Sequence, residues 1–339
     1  MSFRLKAGFI LVTLGLSAIA LAGEPGNNIV VPSGITVLAP DSEGVWSFGA
    51  EALYMQQGSN FQYASTGFET LEQHNLTAGN QWDWGGEADV SYLFPGSRRD
   101  VRLAYTYLNF NSKDSVSSPG NVTPFAYDFP ADVNSGEGHD KETLNQVDLV
   151  FGQWMNVGNR VDLHPFMGLR YANLRAKNTD TFNGLGATPP ASTGLYETDD
   201  NTSNFQGVGP RAGFDTNVNL GYGFSIVGTF AGALVVGNLD SKMSYNYYAP
   251  ATSAFSGGFD YPNDSSTLVV PELDADLGLN YAYAINEKTS MDVSVGYQVV
   301  NYFNAEELNF SDATYPNSVN TLTDFSYQGV YLRLQVNVA

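Results

Sequence analysis

Residues 82–94 read Trp82-Asp83-Trp84-Gly85-Gly86-Glu87-Ala88-Asp89-Val90-Ser91-Tyr92-Leu93-Phe94, and their alternation decides the fold class. One parity holds Trp82, Trp84, Gly86, Ala88, Val90, Tyr92 and Phe94, while the other holds Asp83, Gly85, Glu87, Asp89, Ser91 and Leu93. Successive side chains of a β-strand point to opposite faces, so the segment carries an apolar stripe backed by carboxylates. Aromatic residues stand at both ends of the stripe with small residues between them. A soluble sheet has no reason for that placement, whereas the lipid-facing side of a transmembrane barrel carries an aromatic girdle at each interface. The stripe also has the length of a tilted crossing strand, about 9–11 residues.

The same period recurs on either side. Trp46, Phe48, Ala50, Ala52 and Tyr54 share a parity against Glu51. Leu273, Ala275, Leu277, Leu279, Tyr281 and Tyr283 alternate with Glu272, Asp274, Asp276 and Asn280, and Met291, Val293, Val295, Tyr297 and Val299 with Asp292, Ser294 and Gln298. Further strands are expected at 101–110, 144–155, 161–175, 204–218, 222–239 and 324–338, about ten in all; an extra hairpin at 61–72 or 245–260 would give twelve. Residues 222–239 are apolar on both faces (Phe224, Ile226 and Phe230 against Val227, Ala231 and Val235), which leaves their orientation open. In the last strand Val330, Leu332, Leu334, Val336 and Val338 keep one parity. Phe325, Tyr327 and Tyr331 fall on the other, which means either a bulge near Gly329 or aromatics turned inward.

Connections fall into two classes that alternate along the chain. Short turns are expected at 95–100, 156–160, 219–222 and 285–290, and long loops at 57–79, 111–142, 176–203, 240–267 and 304–323. Membrane barrels have short periplasmic turns and long extracellular loops. The expectation is therefore all-β: an antiparallel transmembrane barrel with both termini on the periplasmic side.

The N-terminus gives the export route. Arg4 and Lys6 precede an apolar run from Ala7 to Ala22 that closes on Ala20-Leu21-Ala22. That is the layout of a secretory signal peptide, residues 1–22, and the run is shorter than the about 20 residues a membrane-spanning helix needs. Residues 23–44, with Pro25, Pro32 and Pro40, read as a periplasmic lead-in, and 45–339 as the barrel. The chain has no cysteine, which excludes lipoprotein attachment and disulfides. A net charge of −20 argues against nucleic-acid binding, and an aromatic content of 13% argues against an acidic disordered protein. The setting is the Gram-negative outer membrane, with its lipid and lipopolysaccharide as surroundings.

Parity also assigns the two faces. Lumen-facing candidates are Glu51, Asp83, Glu87, Asp89, Arg102, Asp148, Asp162, Arg170, Arg211, Asp215, Glu272, Asp274, Asp276, Asp292 and Arg333. Girdle candidates are Trp46, Tyr54, Trp82, Trp84, Tyr92, Phe94, Tyr281 and Tyr283. Arginine pairs bidentately with carboxylates, so one reading is a salt-bridged interior. The other is a passage whose surplus carboxylates favour small cations. Ten or twelve strands lie nearer the filled eight-stranded barrel than the open 16–18-stranded channel, so a pore here is expected to be narrow.

Three function classes follow: a porin-like pore for small solutes or ions, a structural or adhesive barrel with an occluded lumen, and, remotely, a barrel hydrolase. The hydrolase would need His74, His139 or His164 to converge with carboxylates in one cleft. His74 and His139 fall in expected loops, Pro165 follows His164, and no Gly-x-Ser-x-Gly or His-Glu-x-x-His pattern is present. No catalytic residue, cofactor or metal is expected. The acidic runs Asp199-Asp200-Asn201 and Asp260-Tyr261-Pro262-Asn263-Asp264 offer oxygens to calcium without the spacing of a dedicated loop.

Three segments carry a resemblance. Trp46-Ser47-Phe48-Gly49-Ala50-Glu51-Ala52-Leu53-Tyr54 resembles the first strand of the Legionella major outer membrane protein family. His164-Pro165-Phe166-Met167-Gly168-Leu169-Arg170-Tyr171-Ala172 and Phe205-Gln206-Gly207-Val208-Gly209-Pro210-Arg211-Ala212-Gly213 are similar to its middle strands. The resemblance implies a pore-forming outer-membrane barrel, monomeric or homo-oligomeric, whose loops meet host or phage. Two features depart from it. The chain lacks the cysteines that crosslink the major member, and it ends on Val338-Ala339 instead of a terminal aromatic residue.

Overall fold

A computed structural model of the protein describes residues 44–58, 60–66, 74–79, 81–124, 133–185, 196–248, 256–260, 264–312 and 315–339. The expected signal peptide and lead-in lie outside the described residues.

The strands are β1 (Val45–Gln57), β2 (Asn60–Thr66), β3 (His74–Gly79), β4 (Trp82–Leu93), β5 (Arg99–Pro124), β6 (Val133–Gln153) and β7 (Met155–Val157), followed by β8 (Val161–Leu185), β9 (Tyr196–Gly221), β10 (Phe224–Tyr248), β11 (Ser256–Asp260), β12 (Asp264–Asn286), β13 (Thr289–Asp312) and β14 (Tyr315–Val338). Ten of them close an antiparallel barrel in the order β1, β4, β5, β6, β8, β9, β10, β12, β13, β14. The seam runs from Trp46 opposite Val338 to Gln57 opposite Tyr327. Closure leaves no unpaired edge, which is what a sheet in lipid requires. β2 and β3 do form a hairpin, but it adds to the far end of β5 and does not widen the ring; β7 pairs only with β8 and β11 only with β10. Ten strands, not twelve, is the outcome.

Lipid-facing parity matches the sequence pattern, with Trp46, Phe48, Leu277, Val295 and Leu332 exposed. On β10 the exposed face is Phe224, Ile226 and Phe230, while Ala231 and Val235 are buried. Phe325, Tyr327 and Tyr331 turn inward and are buried. The register of β14 against β1 is continuous through Gly329, so no bulge lies there.

The expected loops are overturned in part, because the strands run well beyond the apolar band. Along β5 the outer parity changes from Leu103, Tyr105 and Tyr107 to Asn109, Asn111 and Lys113, and along β8 from Met167 and Leu169 to Arg175 and Lys177. β6 and β10 change in the same way, to Lys141 and to Asn238, Asp240 and Lys242. Above that line the ladders continue with a polar coat, forming an extracellular extension of the barrel. The segments 111–124, 133–142, 176–185 and 196–203, read as loop from the sequence, belong to it.

One bulge does matter. On β13 the register jumps from Tyr302 opposite Phe325 to Glu306 opposite Thr323, so residues 303–305 stand against Asp324 alone. Asn304 takes a left-handed φ of 53°, and its N–H donates to Asp324 Oδ1 at 2.8 Å. The extra residues turn Ala305, Glu306 and Glu307 inward, where all three are buried.

Candidate functional site

The interior is layered along the barrel axis, and the lowest layer is a charged cavity of about 240 Å³. It reaches from Val45, Leu93 and Asn337 at the short-turn end to Val300, Tyr327 and Tyr331 above. Its walls come from strand parity alone, because every second residue of the lower strands points inward.

Three ion-pair groups cross this cavity. Arg170, on β8, faces Asp148 of β6 directly in register. It pairs with both oxygens of Asp148 (Nε–Oδ1 2.7 Å, Nη2–Oδ2 2.6 Å) and with Glu272 Oε1 at 2.6 Å. Arg211 of β9 reaches Asp274 Oδ2 at 2.5 Å and Glu272 Oε2 at 3.4 Å. Arg333 of β14 bonds Asp89 Oδ2 at 2.9 Å and lies 3.5 Å from Glu51 and 3.8 Å from Glu87. A Cβ at position 49 would sit 1.9 Å from Asp89 Oδ2, so Gly49 is the space that lets this pair form. The guanidinium groups of Arg102 and Arg211 also lie over the Phe166 ring, at 5.3 and 5.7 Å.

The third group is built on His164. Its Nε2 is 2.7 Å from Asp100 Oδ1 and its Nδ1 2.8 Å from Asp215 Oδ2, while Arg102 lies 3.5 Å from the same Asp215 oxygen. Ionised carboxylates only accept, so both ring nitrogens donate, an arrangement suited to the imidazolium. Trp154 stacks on the ring at 4.3 Å, and Gly152 leaves it room, since a Cβ there would meet Nε2 at 2.0 Å. Neutral donors serve other carboxylates: Tyr331 Oη donates to Asp276 Oδ1 at 3.3 Å, and Asn337 Nδ2 to Asp292 Oδ2 at 2.7 Å. His164→Ala would take the shared donor from between Asp100 and Asp215, leaving Asp215 only Thr229 and the longer contact to Arg102. Breaking a buried pair from one side costs about 3–5 kcal/mol. We expect a loss of about 3 kcal/mol in urea titration of the micelle-bound protein followed by tryptophan fluorescence; no change would remove His164 from this framework.

Above the cavity the lumen is filled. Leu53, Leu108, Phe110, Leu174, Phe205, Tyr302, Phe325 and Tyr327 belong to one buried cluster. Its rings meet at centroid distances of 6.3 Å (Phe110–Tyr327), 6.1 Å (Tyr302–Phe325) and 6.0 Å (Phe325–Tyr327). Tyr302 is anchored to the charged layer below by Oη donating to Gln146 Oε1 at 2.5 Å. We call this cluster the plug.

Against known families, the model of the Legionella pneumophila major outer membrane protein precursor matches residues 38–338. The chain belongs to this Legionella outer membrane protein family. Outer-membrane localisation, with the short turns periplasmic, follows from that membership and the closed barrel. No curated protein matches the chain. Among solved structures, the Legionella-type barrel is similar to the outer membrane protease OmpT of Escherichia coli at 11% identity, covering 88% of this chain and 97% of that one, with a TM-score of 0.39. It is similar to a major outer membrane protein from Thermus thermophilus at 11% identity, over 87% of this chain and 98% of that one, with a TM-score of 0.29. The Pseudomonas putida toluene transporter TodX is 8% identical over 93% of this chain and 94% of that one, with a TM-score of 0.29. Likenesses this distant carry no argument about activity.

In this Legionella-type barrel the residues expected from parity fall into distinct places. Glu51, Glu87, Asp89, Arg102, Asp148, Arg170, Arg211, Asp215, Asp274, Asp276, Asp292 and Arg333 line the cavity. Glu272 lies buried behind them on Arg170 and Arg211. Asp83 is instead above the point where β4 and β5 part, at Gly86 opposite Tyr107, and accepts the N–H of Asn111 at 3.0 Å. Asp162 is at the short-turn end beside Asn156, outside the cavity lining. The girdle residues Trp46, Tyr92, Phe94, Tyr281 and Tyr283 ring the short-turn end, and Tyr54, Trp82 and Trp84 the other. Centroid distances of 4.7 Å for Trp46–Tyr92 and 4.8 Å for Tyr54–Trp84 show both rings of side chains in contact.

Sequence reasoning passed over Asp100 and set His164 aside because Pro165 follows it. Proline fits here because β8 is extended, and the parity that His164 shares with the lumen candidate Arg170 is the signal that could have placed it inward. The histidines do not converge among the described residues: His139 lies in the extracellular extension, its Nε2 2.6 Å from Asn111 Oδ1, and His74 begins β3.

Proposed function

We propose that this outer-membrane barrel is sealed at rest and acts as a structural, surface-presenting element through its extracellular extension. The observation that supports this best is the plug. Tyr302 and Phe325 are wholly buried in one cluster of inward apolar and aromatic side chains, which stands along the strands between the charged cavity and the extension. Ions do not cross such a layer, because moving an unpaired charge into apolar surroundings costs many kcal/mol. On this reading the arginine–carboxylate groups below hold opposite walls together, and the protein is not an enzyme. The histidines are far apart and His164 is saturated by Asp100 and Asp215. Its standing partners are membrane lipid and lipopolysaccharide along the apolar band.

Liposomes loaded with potassium and carrying the purified protein should leak no faster than protein-free liposomes. Leak that rises with protein content would replace this reading with a second one, a narrow pore for small cations or solutes. The excess of carboxylates over arginines in the cavity favours that alternative, and it requires the plug to move.

A further inference from the structure

The outward-facing cations above the apolar band are gathered on one side of the barrel. Of the 15 Lys and Arg in the chain, Arg4 and Lys6 belong to the expected signal peptide, and Arg102, Arg170, Arg211 and Arg333 line the cavity. Arg98, Arg99, Arg160 and Lys288 stand at the short-turn end. The other five, Lys113, Lys141, Arg175, Lys177 and Lys242, are exposed on the outer face of the extension, on β5, β6, β8 and β10. The opposite side, from β12 through β13 and β14 to β1 and β4, has no Lys or Arg on its outer face.

Register makes these five a patch. Lys141 of β6, Lys177 of β8, Thr202 of β9 and Lys242 of β10 stand in one row of directly paired residues. Lys113 opposes His139, two positions from Lys141 on β6, and Arg175 opposes Thr143. Directly paired Cα atoms lie about 4.5–5.5 Å apart. Lys141 and Lys177 therefore face each other as like charges, an arrangement that costs stability unless an anion lies between them. Acids of the chain compensate only in part. Asp200 takes Lys177 at 3.2 Å, while no ion pair reaches Lys113, Lys141 or Lys242 among the described residues. Asp240 and Glu137 also lie on this outer face, and the cations still outnumber the three acids. His139 feels the surplus: burial first, then Lys113, with Lys141 and Lys177 adding and Glu137 opposing, lowers its pKa below the ordinary histidine value.

Height selects the partner. Lys113 and Lys177 stand six positions past Tyr107 and Tyr171, outer-parity rings at the top of the apolar band. At about 3.3 Å per residue and a tilt of about 40°, the patch lies about 15 Å above those rings. Phospholipid headgroups reach only about 5–8 Å beyond the hydrocarbon, so their phosphates lie below it. The sugar layer of lipopolysaccharide does extend to this level, and its inner sugars carry phosphate and carboxylate groups. A soluble polyanion would first have to displace that layer.

We propose that this face binds lipopolysaccharide, holding the anionic groups of its inner sugars with Lys113, Lys141, Arg175, Lys177 and Lys242. An anion between Lys141 and Lys177 relieves their repulsion. Arg175 lies lowest, about 10 Å above Tyr171, nearest the phosphates at the membrane surface. The acyl chains lie on the apolar face of the same strands beneath, where Leu103, Leu149, Leu169 and Val208 are exposed. Because the cations occupy one side only, the contact is a site and not a belt around the barrel. The assignment rests on the outer-membrane placement. It holds whether the lumen is sealed or open, so it and the sealed-barrel reading fail in different experiments.

The test is an anisotropy titration of fluorescent rough lipopolysaccharide (lipid A with its inner sugars) against the purified protein in micelles, with chelator present. Replacing Lys113→Gln, Lys141→Gln, Lys177→Gln and Lys242→Gln together should weaken binding at least tenfold. A single cation beside an anionic surface contributes about fivefold, and Asp200, Asp240 and Glu137 offset part of it. Arg98→Gln, Arg99→Gln, Arg160→Gln and Lys288→Gln together remove the same charge at the short-turn end and should shift binding less than twofold. Should the outer variant lose the heat-modifiable mobility of a folded barrel, Lys141→Gln with Lys177→Gln is expected to weaken binding about fivefold. Equal losses in the two fourfold variants, no loss in the outer one, equal affinity for phosphatidylglycerol, or tighter binding of heparin would overturn the assignment.

Discussion

Replacing Tyr302 and Phe325 together by alanine should turn a silent barrel into one that passes cations in discrete steps. Both side chains are wholly buried and directly paired across β13 and β14, and Tyr302 reaches over the lumen to Gln146 of β6. Removing them empties the centre of the plug, and water can then join the cavity to the polar layer above. Each large-to-small change in a packed core costs about 3–5 kcal/mol. The backbone ladder that closes the barrel is untouched, so the variant should still show the heat-modifiable mobility of a folded barrel. The selectivity follows from the wall: carboxylates outnumber arginines in the cavity, and a charged ring sets the sign of the favoured ion. In a planar bilayer under a salt gradient the reversal potential should move toward that of the cation. A folded variant that stays silent would mean the plug is not the barrier.

Arg170→Met should cost about as much as any single change in the barrel. Arg170 holds Asp148 and Glu272 at once and is almost wholly buried. Its loss leaves Glu272 and Asp148 only the longer contacts to Arg211, at 3.4 and 3.7 Å, and for Asp148 the amide of Gln146, and breaking a buried ion pair from one side costs about 3–5 kcal/mol. Adding Asp148→Asn and Glu272→Gln should recover most of the loss, because a neutral set of similar volume does not need the guanidinium. Urea titration in micelles measures both steps. If the triple variant is no more stable than Arg170→Met, the cost lies in packing rather than charge.

How much of this was legible beforehand depends on which face of the strand a residue occupies. Residues 82–94 and 273–283 gave class, strand direction and face, because lipid demands an unbroken apolar parity. The extension was missed for the opposite reason. Beyond Tyr107 or Leu169 the outer face meets water, so Lys113 and Lys177 alternate with buried residues in no pattern that sets them apart from a polar loop. The plug was half legible. Phe325, Tyr327 and Tyr331 broke parity on β14, and inward rotation was one of the two explanations open. What sequence could not supply was the height at which they meet Tyr302 and Phe110 from other strands, since parity gives a face and not a level. Similarly, Asp83 and Asp162 have lumen parity but stand where strands part or turn. The bulge at Asn304 left no glycine to mark it, so the inward turn of Glu306 and Glu307 had no signal.

The central claim is that the native barrel is closed. Planar-bilayer recording of the purified, folded wild-type protein tests it most directly. The plug predicts a flat baseline at both voltage polarities and in either salt, with no stepwise events above those of detergent alone. Reproducible unitary steps from the native protein would contradict it, and would mean that the lumen opens without any change to Tyr302 or Phe325.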